Sequence, residues 1–216
     1  MNNHLIQQVP HTADCRYGYE VYLPEGYQQD QQYPIVFFLH GAGERGDQLD
    51  LLHVHGPLKR VLQGEHFDFI CVAPQCPAGS YWTYEVQTLT GFVDEICRKY
   101  HADPDRVYLT GLSMGGYGTW AMAIAHPEKY AAIAPVCGEG MPWASETLKH
   151  LPTWAFHGSD DTCVPVSGSI NMVNAILRAG GDAKLTVYAG VGHDSWTETY
   201  ENPAFYTWML AQHRSR

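Results

Sequence analysis

The sequence lacks several features that would each point to a large class of proteins. It has no apolar run long enough to cross a bilayer, because its most apolar stretch, residues 35–39, is only as long as a strand. It has no surplus of basic residues, since 23 acidic residues outnumber 13 lysines and arginines and give a net charge of -10. Phosphate binding needs a concentrated basic surface. We therefore expect no membrane span and no nucleic-acid partner.

The first eight residues lack the basic segment and the apolar run of a secretory signal, so we expect a cytoplasmic protein. No repeat, low-complexity tract or linker-like stretch interrupts the 216 residues, and 45% of them are hydrophobic. A chain of this length can bury a substantial core as one unit. We expect a single domain over residues 1–216, as a monomer or a homodimer.

The six cysteines form no C-x-x-C pair, and their spacing indicates no metal site. We expect them to be reduced and mostly buried, with Cys71 and Cys97 as small core residues. Cys76, Cys137 and Cys163 lie near the ends of predicted strands, so a disulfide among these three is the alternative. We expect neither a metal nor a cofactor.

Short apolar segments alternate with helix-forming segments from residue 34 onward, which is typical of a parallel sheet with helices on both faces. The predicted strands are 34–39, 69–73, 106–110, 131–136, 153–156 and 183–188, and the predicted helices are 57–63, 86–101, 114–126, 167–179 and 202–213. Before them, apolar and polar residues alternate over 17–23, which predicts an antiparallel edge strand with one solvated face. The connections are short, so we expect no cap domain above the sheet.

The segment Gly111-Leu112-Ser113-Met114-Gly115 matches G-x-S-x-G, with a predicted strand before it and a predicted helix after it. A strand that turns sharply into a helix exposes the serine Oγ, and a Cβ at either glycine would collide with neighbouring backbone. The start of the helix presents free N–H groups, so the Met114 amide is the first predicted donor to an oxyanion. We therefore predict that Ser113 is a nucleophile.

A nucleophilic serine of this kind is followed in the chain first by an acid and then by a histidine. Asp160 and Asp161 both follow a predicted strand, and we prefer Asp161 because it lies nearer the Val-Pro pair that would brace the loop. His193 follows the last predicted strand directly, whereas His213 lies near the C-terminus. We predict that His193 is the base and Asp161 the acid, and we assign no orienting role to Asp194.

The second oxyanion donor is expected in the loop after the strand at 34–39. Gly41 and Gly43 flank Ala42 there, which lets the Ala42 amide approach a substrate without a side-chain clash. The two glycines are also candidates for the substrate pocket. His40 precedes them, and we expect it to hold the loop by hydrogen bonds.

Two tryptophans, Trp82 and Trp196, lie in predicted loops on the carboxyl side of the strands. They are candidate substrate-pocket residues, with simple packing as the alternative. Glu44 and Arg45 are either an ion pair within their loop or part of the substrate rim, and the sequence does not decide between these interpretations.

Together these motifs resemble the α/β-hydrolase superfamily, and more narrowly its small, cap-less bacterial carboxylesterases. The resemblance extends over nearly the whole chain from about residue 15 and is carried by 40–46, 74–77, 108–120, 154–161 and 192–196. This group is similar to dienelactone hydrolases, phospholipase/carboxylesterases and polyhydroxybutyrate depolymerases, and some of its members are labelled predicted peptidases. Dienelactone hydrolases use a cysteine nucleophile, and Ser113 departs from that pattern. The resemblance implies an α/β-hydrolase fold and a serine hydrolase.

The residues and the resemblance together predict a carboxylesterase that hydrolyses short-chain acyl esters through an acyl-enzyme. A small-molecule ester is the expected partner, because a site without a cap admits a small or exposed ester readily. A serine peptidase and an acyl-protein thioesterase are the alternatives that use the same three residues. A ligand-binding protein without activity is disfavoured, since that interpretation predicts a broken triad.

Overall fold

The computed structural model describes residues 6–12 and 15–214. Its centre is an eight-stranded sheet with the strand order β1-β2-β4-β3-β5-β6-β7-β8. The strands are β1 (Ile6–Val9), β2 (Tyr19–Tyr22), β3 (Tyr33–Leu39), β4 (Ile70–Pro74), β5 (Ala102–Leu112), β6 (Ala132–Val136), β7 (Thr153–Gly158) and β8 (Ala183–Tyr188). β1 and β2 run antiparallel to their neighbours, and the other strands are parallel. Parallel strands bring their carboxyl ends, and hence their loops, to one edge of the sheet.

Helices cover both faces of this sheet and bury two separate apolar clusters. The helices are α1 (Gly56–Leu62), α2 (Val86–Lys99), α3 (Met114–Ala125), α4 (Ser167–Arg178), α5 (Trp196–Glu201) and α6 (Pro203–Leu210). Phe92, Trp120 and Met172 place α2, α3 and α4 on one face. Leu58 of α1 and Phe205 of α6 belong to the cluster on the other face. The predicted α/β-hydrolase architecture is confirmed, and within the described residues no further domain lies over the sheet.

The antiparallel strand predicted within 17–23 is present as β2, but its predicted edge position and solvated face were wrong. β1 pairs outside β2 and becomes the edge, and all four residues of β2 are buried. The Glu20 carboxylate of β2 accepts a hydrogen bond from Gln8 Nε2 (2.9 Å) and lies 3.0 Å from His53 Nδ1. Apolar and polar residues do alternate along this segment, but the polar face of β2 is covered by polar side chains from β1 and from a neighbouring 3₁₀ helix.

The helix predicted at 202–213 ends earlier, at Leu210, and the sequence missed α5 before it. Asn202 separates the two helices, because its side chain accepts a hydrogen bond from Ala204 N (3.0 Å) and caps α6. Pro203 then stands at the first position of α6, where its missing N–H costs nothing. β5 is also longer than the predicted strand 106–110. The other four helices lie within two residues of their predicted bounds.

All six cysteines are free, so the structure has no disulfide among Cys76, Cys137 and Cys163. Cys71, Cys76 and Cys137 are buried, Cys97 is half-buried, and Cys163 is exposed. Across residues 6–12 and 15–214, no helix is both long enough and apolar enough to cross a membrane.

Candidate active site

Ser113 occupies the turn between β5 and α3, at the carboxyl edge of the sheet. Its backbone has φ 51° and ψ -115°, in a region that residues with a side chain rarely adopt. The turn needs its glycines, because a Cβ at Gly115 would overlap the Leu39 carbonyl and one at Gly111 would overlap the Gly115 carbonyl. The Ser113 amide donates to Val136 O (3.0 Å), which ties the turn to β6. Strained backbone held by its surroundings is typical of functional sites.

A chain of hydrogen bonds links Ser113, His193 and Asp161. His193 Nε2 lies 2.8 Å from Ser113 Oγ, and His193 Nδ1 lies 2.7 Å from Asp161 Oδ2. A carboxylate only accepts hydrogen bonds, so the imidazole proton sits on Nδ1 and Nε2 is left to accept the Ser113 hydroxyl proton. The structure therefore brings together the three residues that the sequence singled out.

Asp161 is held as a charged acceptor. Its Oδ1 accepts hydrogen bonds from the backbone amides of Cys163 and Val164, both at 2.9 Å. Burial by itself raises the pKa of Asp161, but the hydrogen bonds from His193 and from these two amides outweigh it, and the pKa lies below its ordinary value. Its neighbour Asp160 is exposed, and its side chain accepts a hydrogen bond from Ser159 Oγ (2.6 Å).

The loop that carries His193 lies against the end of β7. The Asp160 amide donates to Val191 O (2.9 Å), and a Cβ at Gly158 would overlap the carbonyls of Val191 and Gly192. The close approach therefore requires glycine at position 158. Asp194 points away from the imidazole, because its Oδ2 accepts the Thr197 hydroxyl at 3.0 Å.

The loop after β3 is held by His40, as the sequence predicted. His40 Nδ1 donates to Gly41 O (2.6 Å), and its Nε2 accepts from the Cys76 amide (2.9 Å). Burial lowers the pKa of His40 to about 4, so the ring is neutral and suits this pair of roles. Ala42 and Met114 each occupy the first position of a helix. Amides at first helical positions have no acceptor within the helix, so both are free to face an anion.

Trp82 does not line the site. Its side chain is 0% exposed, and its Nε1 donates to His40 O (3.0 Å). The prediction that Trp82 is a pocket residue was wrong. The alternative, that Trp82 is a packing residue, is correct, because its buried indole packs against His40 and supports the loop after β3. Trp196 is half-buried, and its ring packs edge-on against His193 with centroids 5.3 Å apart. It therefore borders the imidazole.

Arg45 is not paired with Glu44. Its Nε donates to Ala42 O (3.0 Å), its Nη1 donates to Ser80 O (3.3 Å), and its guanidinium lies 4.7 Å above the Tyr81 ring. The arginine thus joins the loop after β3 to the loop that carries Tyr81. The sequence left two interpretations open for Glu44 and Arg45, and the one that pairs their charges with each other is wrong.

Comparisons with known proteins assign the chain to a family. Residues 11–185 match a family described as "Putative esterase". The chain belongs to this esterase family. It is 27% identical over 172 residues to "Probable feruloyl esterase C" of Aspergillus terreus, covering 76% of this chain and 62% of that protein. It is 29% identical over 146 residues to "Bifunctional acetylxylan esterase/xylanase XynS20E" of Neocallimastix patriciarum, covering 65% of this chain and 21% of that protein.

A solved structure of a thermostable esterase superposes on this esterase-family chain with a TM-score of 0.83 and 32% sequence identity. The match covers 97% of this chain and 63% of the other. The chain therefore spans less than two thirds of the length of each of these three relatives. The predicted resemblance to α/β-hydrolase esterases is confirmed.

The sequence missed the groove that opens at the nucleophile of this esterase-family chain. A cavity of about 290 Å³ is lined by Tyr81, Thr83, Ser113, Met114 and Tyr117. The signal for Tyr117 was available, because a residue four positions after Ser113 lies on the same side of the helix. Gly41 and Gly43, which the sequence proposed for the pocket, do not line this groove. A larger cavity of about 680 Å³ lies beside β1 and β2 and includes none of the candidate site residues.

Among the described residues, one group of three side chains could hold a metal ion: the donor atoms of Cys137, Asp161 and His193 lie within 4.8 Å of one another. Two of these side chains already form the hydrogen bond of the serine site. Burial raises the pKa of the Cys137 thiol to about 12, so the thiol keeps its proton at neutral pH. Since the thiolate is the metal ligand, the cluster is better explained as part of the serine site.

Proposed function

We propose that the chain hydrolyses carboxylic esters, with short-chain acyl esters among its substrates, through an acyl-enzyme on Ser113. The observation that carries this proposal is the chain of hydrogen bonds from Asp161 Oδ2 through His193 to Ser113 Oγ, at 2.7 and 2.8 Å. Membership of the esterase family supports it independently.

In the first half of the reaction, Ser113 Oγ attacks the ester carbonyl carbon while its proton moves to His193 Nε2. The carbonyl π electrons become the charge of a tetrahedral oxyanion, which the amides of Met114 and Ala42 bind. When the intermediate collapses, the bond to the leaving oxygen breaks, and that oxygen takes the proton from His193 Nε2. An alcohol leaves, and the acyl group stays on Ser113.

In the second half, water replaces the alcohol. His193 accepts a proton from water as the water oxygen attacks the acyl-enzyme, and it returns that proton to Ser113 Oγ when the carboxylic acid departs. Asp161 fixes the tautomer of His193 and stabilises its positive charge in both halves. Each amide donor to the oxyanion contributes about 2.7–4 kcal/mol in comparable acyl-transfer sites.

Small esters suit this site because the groove at Ser113 is open and no further domain covers it within the described residues. A neutral carbonyl needs only the two amides and the serine, and no charged side chain lines the cavity at Ser113. The relatives named as feruloyl and acetylxylan esterases are consistent with ester cleavage at such a site.

The test compares nitrophenyl acetate and nitrophenyl butanoate with an aminoacyl nitroanilide, using the wild type and Ser113→Ala. We expect hydrolysis of both esters, little release of nitroaniline, and loss of ester hydrolysis in the variant. Turnover of the anilide at a rate comparable with the esters would favour a peptidase instead. Ester hydrolysis that survives Ser113→Ala would exclude the proposed nucleophile.

A further inference from the structure

The groove at Ser113 does not end at the site but continues along the exposed side of α3. We propose that this groove binds the acyl chain of medium-chain esters, of about eight to twelve carbons if the chain is extended. The inference rests on the proposed ester hydrolysis and adds a class of substrate to the short-chain esters.

The groove consists of two cavities that share Thr83 and Tyr117. The first, of about 290 Å³, contains Ser113, and the second, of about 540 Å³, continues away from it. Because the same two residues line both cavities, the second cavity adjoins the first on the side of Thr83 and Tyr117. A substrate bound at the nucleophile can therefore extend into the second cavity without any change of fold.

One stripe of α3 forms the floor of the groove, through Met114, Tyr117, Ala121, Ile124 and Ala125. Steps of three and four residues lead from Met114 to Ile124, and Ala125 follows Ala121 by four, which places these side chains on the same helix face. At about 1.5 Å per residue, the eleven steps from the first to the last span about 16 Å. An extended hydrocarbon chain with bonds of about 1.5 Å advances about 1.3 Å per carbon, so about twelve carbons fill that length.

The lining is apolar and lacks a cation. Val86, Ile124 and Met141 supply aliphatic surface in the second cavity, and among the described residues Glu139 is the one charged side chain that lines it. A carboxylate, phosphate or sulfate has no basic partner there and would meet a like charge. A neutral hydrocarbon fits this lining, since burying apolar surface is favourable in proportion to its area.

Two exposed aromatic side chains stand near the groove residues, one by a ring contact and the other by its position in the chain. Tyr84 is 80% exposed and packs against the groove residue Tyr81, with ring centroids 5.7 Å apart. Trp143 is 82% exposed and follows the groove residue Met141 by two positions. A single exposed side chain of this size is ordinary, whereas an exposed apolar patch beside a groove is typical of a binding surface.

The position of His193 assigns the groove to the acyl side of the ester. His193 must protonate the leaving oxygen, so the alcohol departs beside His193 and its neighbour Trp196. Neither residue lines the groove, which runs from Ser113 in the direction of Tyr81 and Tyr117. The acyl substituent, which stays attached to Ser113, is the part of the substrate that points into it.

The experiment measures kcat/KM for nitrophenyl esters from acetate to dodecanoate, with alkyl acetates from ethyl to decyl as the second arm. We expect kcat/KM to rise roughly 10- to 100-fold from butanoate to decanoate, because each added methylene buries apolar surface in the groove. No comparable rise is expected when the alcohol chain of the acetates is lengthened. A rise with the alcohol chain and not with the acyl chain would overturn the assignment.

Two variants measure how far along the groove the acyl chain extends. Ala121→Trp blocks it about 11 Å from Met114, and Ala125→Trp blocks it about 16 Å away, at about 1.5 Å per residue of helix. Relative to acetate, we expect the first variant to lose at least 10-fold in kcat/KM from about octanoate upward, and the second only from about dodecanoate. Leu177→Trp on α4, whose side chain is 50% exposed outside the groove, is the matched control and should keep the wild-type profile.

The outcomes separate this inference from the proposed function. If the wild type hydrolyses acetate but its profile is flat or falls beyond butanoate, the groove is not an acyl site while the esterase function stands. The same conclusion follows if both tryptophan variants, folded by their melting temperature, keep the wild-type chain-length profile. If no ester is hydrolysed, both the function and the groove proposal are wrong.

Discussion

The choice of Asp161 over Asp160 makes a quantitative prediction, because the structure dictates how an asparagine would sit at position 161. Two backbone amides, of Cys163 and Val164, donate to Oδ1 at 2.9 Å. In Asp161→Asn these amides hold the side-chain oxygen in place, so the NH₂ group replaces Oδ2 at 2.7 Å from His193 Nδ1. An NH₂ group donates, so Nδ1 must accept and the ring proton must move to Nε2.

That tautomer cannot take the proton of Ser113, because Nε2 now carries one. The equivalent substitution in a serine protease leaves the geometry intact and lowers kcat about 10⁴-fold. We expect a loss of about 10³- to 10⁴-fold here, equivalent to about 4–5.5 kcal/mol of transition-state stabilisation. The assay is kcat for nitrophenyl acetate, with the melting temperature as the measure of folding.

Asp160→Asn is the matched control, because Asp160 is exposed and its side chain accepts a hydrogen bond from the neighbouring Ser159 Oγ and not from His193. We expect less than a threefold change in kcat for this variant. A large loss of kcat in Asp160→Asn would show that the acid is wrongly assigned. The same conclusion would follow if Asp161→Asn kept a tenth of the wild-type kcat.

Three further predictions concern the framework of the site. Glu85 accepts four hydrogen bonds in the loop that carries Tyr81, and its pKa lies below the ordinary value because bonds from Arg16, Ser80 and Tyr17 outweigh the effect of burial. The Glu85 carboxylate therefore stabilises the fold above its unfolded-state pKa, and this stabilisation is lost as the pH falls through its folded-state pKa. Glu85→Gln should lower the free energy of unfolding at pH 7 by about 1–3 kcal/mol, as measured by urea unfolding. The variant should also lose less stability than the wild type when the pH is lowered. Gly115→Ala should lower the melting temperature sharply or prevent folding. Gly43→Ala is the control and should keep the wild-type melting temperature, because a Cβ there would meet nothing within 4 Å. Equal melting temperatures for the two variants would contradict the close packing of the turn. A thiol reagent should modify Cys163 fastest in the folded protein and all six cysteines after denaturation; fewer than six would reveal a disulfide.

The nucleophile turn and its partners could be predicted from the sequence because each depends on local chain geometry. The glycines around Ser113 are needed by the turn itself, and the loops after β7 and β8 must carry Asp161 and His193 if parallel strands deliver them to one edge. The fold class follows from the same alternation of apolar strands and helices.

The groove and the role of Trp82 could not be predicted, because they depend on contacts between distant segments. The groove takes its lining from the loop after β4, from the start of α2, from α3 and from the loop after β6, and no single stretch carries its pattern. Tyr81 and Trp82 are adjacent in the chain, yet one reaches the groove and the other lies under His40. The β1 strand was missed because its middle residues, Gln7 and Gln8, give no apolar signal.

Several expectations from the sequence remain predictions. A single domain over residues 1–216, a monomeric or dimeric state and a cytoplasmic location rest on composition and on the pattern of the N-terminal residues. The catalytic roles of Ser113, Asp161 and His193, and of the Ala42 and Met114 amides, rest on the geometry of the site and belong to the proposed function.

The most direct test of the central claim is covalent labelling with a fluorophosphonate, followed by mass spectrometry of the peptides. The probe phosphonylates a serine whose hydroxyl proton a neighbouring base accepts, so it reports on the activated nucleophile and not on the ester chosen. We predict one adduct, on Ser113, in the folded wild type, with labelling lost in Ser113→Ala and strongly slowed in a His193→Ala variant. An unlabelled wild type, or an adduct on any other serine, would contradict the proposed mechanism.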